Sequence, residues 1–207
     1  MKFSIQRKHI RSMLNLSAKK DIRYYLQGIN VVIDNRGLYI EATDGLVLGR
    51  LLIDATIKSE EKKNVILPTD SLMKLKGSKK DGEEFLHFTV DGFSVECIAG
   101  DSTIRFSRHD ARFPDTDRVI PLLIKNEDVK SSTINPDLLV RFVDFSQDLY
   151  GKRQVPQLLQ RGTDSALVSF SLDDNFIGVV MPFRENSPAK VPEWCYFSSV
   201  KKEEVTA

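Results

Sequence analysis

Up to about residue 112 the chain runs twice through one order of elements: a strand, a helix and three strands. That order constrains the fold more than any single motif, because the switching period of the apolar residues fixes an α+β chain of antiparallel hairpins. In MKFSIQ, Phe3 and Ile5 alternate with Lys2 and Ser4, which predicts a strand. RKHIRSMLNLSA places Ile10, Met13 and Leu14 at helical spacing, with Arg7, Lys8 and Arg11 opposite. An amphipathic helix with a basic outer face is expected there. INVVIDNRGLYIEATDG holds two β-rich runs around Asp34-Asn35-Arg36-Gly37, a hairpin signal in which Gly37 supplies the positive φ. LVLGRLLID is a further strand.

The order then restarts. NVILP is a short strand, and Thr69 or Asp70 is placed to cap the helix TDSLMKLKGSKK, with Leu72 and Leu75 inward. EFLHFTV, FSVECIA and STIRFSR follow as strands, separated by Asp91-Gly92 and Gly100-Asp101 turns. The halves share their order of elements and little letter-by-letter identity, so this is a repeat of architecture. RFPDTDRVIP, with prolines at 114 and 121, reads as a connector. Beyond it Asn135-Pro136 is a cap and first-turn pair opening a helix, INPDLLVRFVDFSQDLYG. Its apolar side carries Leu138, Leu139, Phe142 and Val143; its other side carries Asp137, Arg141, Asp144 and Asp148. QLLQRG, SALVSFSL and FIGVVMPF are three more strands, and WCYFSSV is a possible last one before a charged tail. Two parts are expected, residues 1–117 with two units and residues 118–207 with one unit and an extension.

The 207 residues are 41% hydrophobic, enough to bury a real core, and 29% charged, with a formal net charge of +1. Near-neutrality removes a bulk basic charge as an argument for nucleic acid, although a local patch remains open. Cys97 and Cys195 do not make a disulfide framework, and no apolar run approaches the roughly 20 residues of a membrane span. A cytoplasmic protein with reduced thiols is expected. Nothing converges on catalysis. His9, His87 and His109 are scattered, without metal-ligand spacing, so no metal site and no cofactor are expected. Asp44 in ATDG is read as a turn former, Cys97 as a core residue, and Asp115 and Asp117 as solvated loop charges.

Four stretches, in order, resemble one family: the bacterial sliding clamp, the β subunit of DNA polymerase III. MKFSIQRKHIRSMLNLSAKKDIRYYLQG is similar to the opening of its middle domain, which continues into RYYL-x-G. IEATDGLVLGRLL resembles its ATDGHRL strand pair. RFPDTDRVIP resembles its RFPDYRRVLP connector, and FIGVVMPFR resembles the YVVMPMR near its end. The resemblance implies a DNA-clamp fold of repeated β-α-β-β-β units with helices on one face of antiparallel sheets. It also implies a ring around duplex DNA that tethers polymerases and repair proteins by a short motif held in a hydrophobic pocket, with no enzymatic activity.

Carried onto this chain, the pocket would use Leu26 from RYYL; Thr43, Gly45 and Leu48 from ATDGLVL; Pro114 and Val119 from the connector; and Val179 and Met181 from VVMPF. The leucines, valines and Met181 suit an apolar concavity. DNA contacts would come from Arg7, Lys8 and Arg11 on the first helix, Lys74, Lys76, Lys79 and Lys80 on the second, and Arg23 beside the tyrosines, since such cations track phosphates without reading bases. The chain departs from the family in three ways. Nothing corresponds to the clamp's first domain. Only about a dozen residues separate RVIP from INPDLL, where the family has a whole unit. About 20 residues follow the family's last motif. Two functions are therefore expected as alternatives. One is a reduced clamp, of phage or mobile-element type, that forms a homo-oligomer around DNA and tethers a polymerase or another protein with a clamp-binding motif. The other is a non-ring module that binds such motifs as decoy, regulator or adaptor.

Overall fold

The computed structural model describes residues 1–120, 133–159, 165–171 and 173–183. The expected WCYFSSV strand, the charged tail and Cys195 lie outside the described residues. The first unit comprises β1 (Lys2–Gln6), α1 (Arg7–Leu14), β2 (Gly28–Asp34), β3 (Gly37–Thr43) and β4 (Val47–Asp54). The second comprises β5 (Lys63–Pro68), α2 (Thr69–Leu75), β6 (Phe85–Asp91), β7 (Ser94–Ala99) and β8 (Ser102–Ser107). After the connector come α3 (Pro136–Tyr150), β9 (Gln157–Leu159), β10 (Ala166–Ser169) and β11 (Phe176–Val180). The fold is the expected α+β arrangement of antiparallel sheets with a few helices.

The two units interlock. β1 pairs with β6 of the second unit, and β5 pairs with β2 of the first. One sheet runs β1-β6-β7-β8 and the other β5-β2-β3-β4-β11-β10-β9. The seven-stranded sheet thus crosses from the first part of the chain to the second at β4–β11, where Gly49 faces Gly178. Strand alternation sorts its two faces. Val47, Leu51, Phe176, Val180, Ala166 and Val168 turn to the helices and join one continuous core with Ile10, Met13, Phe142 and Phe145. Leu48, Leu167 and Val179 turn to the other face and form a small cluster of their own, with Ile120 packed against it.

The cap expected at Thr69 or Asp70 is absent. Pro68, in extended backbone, is the N-cap residue of α2 and makes no side-chain cap bond. A Pro with φ near −60° already sets the entry of the chain, so no polar cap is needed to fix it. The helix ends at Leu75, and Lys79 and Lys80 fall in a separate short 3-10 turn, Lys79–Asp81. At α3 the Asn135 side chain does cap, accepting from Asp137 N–H at 2.9 Å, and Gly151 closes the helix at φ 75°.

His9 on α1 has a buried Nδ1 without a partner among the described residues. Burial, and then the Lys8 charge, lower its pKa to about 4. The unfolded chain, near 6.5, therefore takes up the proton first as pH falls. The contribution of the neutral imidazole to stability is fully present above pH 6.5 and is lost as pH falls from 6.5 to about 4. Urea titrations over that range are expected to show a fall of about 2–3 kcal/mol. His9→Gln is expected to flatten it, and a slope that survives in the variant would place the titration elsewhere.

Candidate functional site

A shallow groove lies on the helix-free face of the seven-stranded sheet, at the β4–β11 seam. Thr43, Gly45, Leu46, Val47, Leu48, Val119, Val179 and Met181 line it around a cavity of about 30 Å³. Leu48 and Val179 form the floor at 3% and 1% exposure, whereas Val119 and Met181 stand at its sides at 39% and 40%. The pairing of β4 with β11 puts Leu48 opposite Val179, and Met181 N–H continues the ladder to Leu46 C=O at 2.9 Å. The cavity volume is about the room of one water molecule, so the groove is a shallow apolar surface whose exposed walls, Val119 and Met181, are free to adapt to a contacting side chain.

The ATDG turn is held from both sides. The Thr43 hydroxyl donates to Val47 C=O at 2.6 Å and accepts from Gly45 N–H at 3.0 Å. Asp44 accepts from the N–H groups of Leu46 and Val47, as the turn-former reading expects. It also pairs with Arg141 of α3, which donates in addition to the carbonyls of Asn15 and Ser17. Gly45 sits at φ 95°, a left-handed conformation that favours glycine.

Six of the eight expected pocket residues thus meet in one groove. Leu26 and Pro114 do not line it: Leu26 is 1% exposed, and Pro114 is exposed on the connector. Leu46, not among the expected residues, does line it and is half exposed. Its place next to Gly45 at a tight turn, where the chain turns outward, was the available signal. Tyr24 of RYYL ties its loop to the chain before the connector. The Tyr24 hydroxyl donates to Asp110 C=O at 2.9 Å, and its ring meets His109 edge-on.

The connector is fixed by an ionic network that the sequence did not disclose. Asp117 accepts from Arg36 and from Arg50, each at 2.7 Å. Arg50 also donates to Glu41, which is 1% exposed, and to the Thr116 hydroxyl. Thr116 in turn donates to Glu41, and Asn30 donates to the second Glu41 oxygen at 3.0 Å. Asp117 is therefore no free loop charge. Hydrogen bonds from Arg36, and after them from Arg50, outweigh partial burial and hold its carboxyl at about 2.

The basic surface differs from its expectation on α1. Arg7 is buried and pairs with Glu84, Lys8 pairs with Glu83 at 2.8 Å, and Arg11 pairs with Asp148 of α3 at 3.2 Å. The predicted basic outer face of α1 is thus a seam to α3 and to the loop before β6. Helical periodicity shows which residues oppose the apolar stripe, but not what packs against them. Arg23 pairs with Asp21 and remains half exposed. Lys74, Lys76 and Lys80 are exposed and carry no ion pair among the described residues; the side chain of Lys79 lies outside them. No cluster of metal-ligating groups occurs among the described residues, and no helix there is long and apolar enough to cross a membrane.

Fold and groove together define a clamp-type protein, with interlocked strand–helix–three-strand units and an apolar groove on the sheet face. The sequence model of the family described as DNA polymerase III beta subunit, central domain, matches residues 2–115, more than half of the chain. The chain belongs to this family. It is 29% identical to the beta sliding clamp of Pseudomonas aeruginosa over 127 residues, covering 58% of this chain and 34% of that protein. To that of Salmonella typhimurium it is 31% identical over 113 residues, covering 54% and 29%. The matched stretch spans about a third of the length of these curated relatives. In three dimensions the chain resembles the DNA polymerase III subunit beta of Pseudomonas aeruginosa, with a TM-score of 0.67 and 20% identity over 89% of this chain and 67% of that one. The corresponding Thermotoga maritima structure gives a TM-score of 0.69 at 16% identity over 89% and 66%.

Proposed function

We propose that this chain is a sliding-clamp-like processivity factor. It assembles with copies of itself around duplex DNA and tethers a polymerase, or another replication protein with a clamp-binding motif, through the groove at β4–β11. It needs no cofactor, catalyses no reaction and works in the cytoplasm. The observation that carries the reading is the groove: Thr43, Gly45, Leu48, Val119, Val179 and Met181 come from three distant stretches and meet around one apolar concavity. Assembly is supported by sheet edges: β1, β5, β8 and β9 each have one strand partner among the described residues, and β8 and β9 lie at the far ends of the two sheets. Pairing of unlike edges, head to tail, closes a ring when the rotation between copies closes.

Light scattering across a dilution series tests the assembly. A discrete oligomer stable to dilution supports the ring, and a persistent monomer removes it. The DNA-facing side is tested at Lys74 and Lys76, whose exposed ammonium groups are free to neutralise phosphate. Lys74→Glu with Lys76→Glu is expected to weaken association with plain duplex and to lower its salt slope by about 2. An unchanged slope would turn α2 away from DNA.

A second reading has its own support. The cations of α1 are consumed by Glu84, Glu83 and Asp148, which leaves α1 little charge for DNA. A module that binds clamp-binding motifs without encircling DNA, as decoy, regulator or adaptor, fits that neutralised helix. A persistent monomer that still binds peptide would select it.

A further inference from the structure

We infer that Asp117 and Thr116 are positioning residues of the groove: by locking the connector onto Glu41, Arg50 and Arg36, they set where the Val119 wall stands. This rests on the groove being a peptide site. Neither residue lines the groove. Both lie on the short turn Thr116–Arg118, directly before Val119. The turn passes its position on through the backbone, because Val119 N–H and Ile120 N–H both bond Thr116 C=O, at 3.1 and 3.3 Å. Ile120 then packs against the floor of Leu48, Leu167 and Val179.

The anchor itself is rigid. Glu41 and Thr116 are 1% and 2% exposed, and every contact between them and Arg50 is a hydrogen bond to at least one charged group. Glu41 and Arg50 stand opposite each other on β3 and β4, so the sheet fixes their separation. Asp117 adds the outer tie to Arg50 and Arg36, both at 2.7 Å. Without it, the ionic hold on the turn falls to Thr116, beside the packing of Ile120 against the floor and the burial of Phe113. Affinity at such a groove depends on walls held in place before the ligand arrives.

Asp117→Ala tests the inference, since the side chain is half exposed and its removal leaves no cavity in the core. Two readouts are needed. The first is fluorescence anisotropy with a fluorescein-labelled peptide carrying the clamp-binding motif of a replicative polymerase. The second, without peptide, is nuclear Overhauser contacts from the Val119 and Ile120 methyls to those of Leu48 and Val179. Asp117→Ala is expected to weaken the peptide about tenfold and to reduce those contacts while the core methyl shifts hold, and Asp117→Glu is expected to restore most of both. Arg105→Gln, which breaks the exposed Arg105–Glu96 pair on the other sheet, is expected to change neither. Retained affinity and retained contacts in Asp117→Ala overturn the positioning role. If the contacts change but the peptide does not respond even to charges placed in the groove, the groove reading fails and the anchoring of the connector stands.

Discussion

Peptide binding is expected to fall at least about 100-fold when Val119 and Met181 are both replaced by glutamate, with little change in stability. The two side chains stand at 39% and 40% exposure, so their carboxylates would stay hydrated in the free protein. Beneath a docked apolar side chain the same carboxylates would lose water and gain no partner, which is costly. Leu48→Ala is the poorer probe, because Leu48 is 3% exposed and belongs to the small cluster with Leu167 and Val179. Its truncation would cost about 2–5 kcal/mol of stability before any peptide is considered. Anisotropy with the labelled peptide, beside a urea titration of the same variant, separates the two effects. An undiminished affinity in Val119→Glu with Met181→Glu would remove the groove as the binding site.

The second large effect is expected at the seam. Gly178 on β11 faces Gly49 on β4, and both face the helices. A Cβ on Gly178 would stand 2.5 Å from Phe142 Cε1 and 3.1 Å from Val168 Cβ; one on Gly49 would stand 2.3 Å from Leu16 Cδ1. Phe142 is fully buried and meets Phe176 edge-on at a centroid distance of 6.3 Å, so its ring cannot move aside without disturbing the core. Gly178→Ala is expected to cost about 2–3 kcal/mol, and Gly178→Val more. The loss falls on the strand pairing that joins the C-terminal strands to β4 among the described residues, so peptide affinity should drop in step with stability as Val179 and Met181 lose their register against Leu48. A lower urea midpoint with unchanged affinity would mean that the groove survives without the β4–β11 ladder.

Much of this molecule was legible in its letters, and the reason is local. Alternation in MKFSIQ, the Asp34–Gly37 turn, and Asn135-Pro136 before an apolar stripe are short-range signals, and each marks an element the structure contains. The groove residues could be gathered only because four motifs resembled one family in order; no periodicity relates Leu48 to Val179. Three features were not legible. The interlocking of β1 with β6 and of β5 with β2 depends on pairing across long stretches, for which a strand carries no address. The burial of Arg7 and the pairing of Arg11 with Asp148 arise because α3 lies against α1, so a face that is polar by period is a packed seam. The Asp117 anchor needs Arg36 and Arg50 from two other strands, and a carboxylate in a loop looks alike whether solvated or tied down.

The sequence by itself determined which segments are strands and helices, where the turns fall and which side chains are apolar enough to floor a groove. Those properties follow from neighbours a few residues apart. Tertiary structure alone decided which cations are left without an ion pair among the described residues, which residue of the ATDG turn reaches into the groove, and what holds its connector wall in place. Those outcomes depend on Coulombic and steric partners brought together from distant parts of the chain, and only folding supplies them.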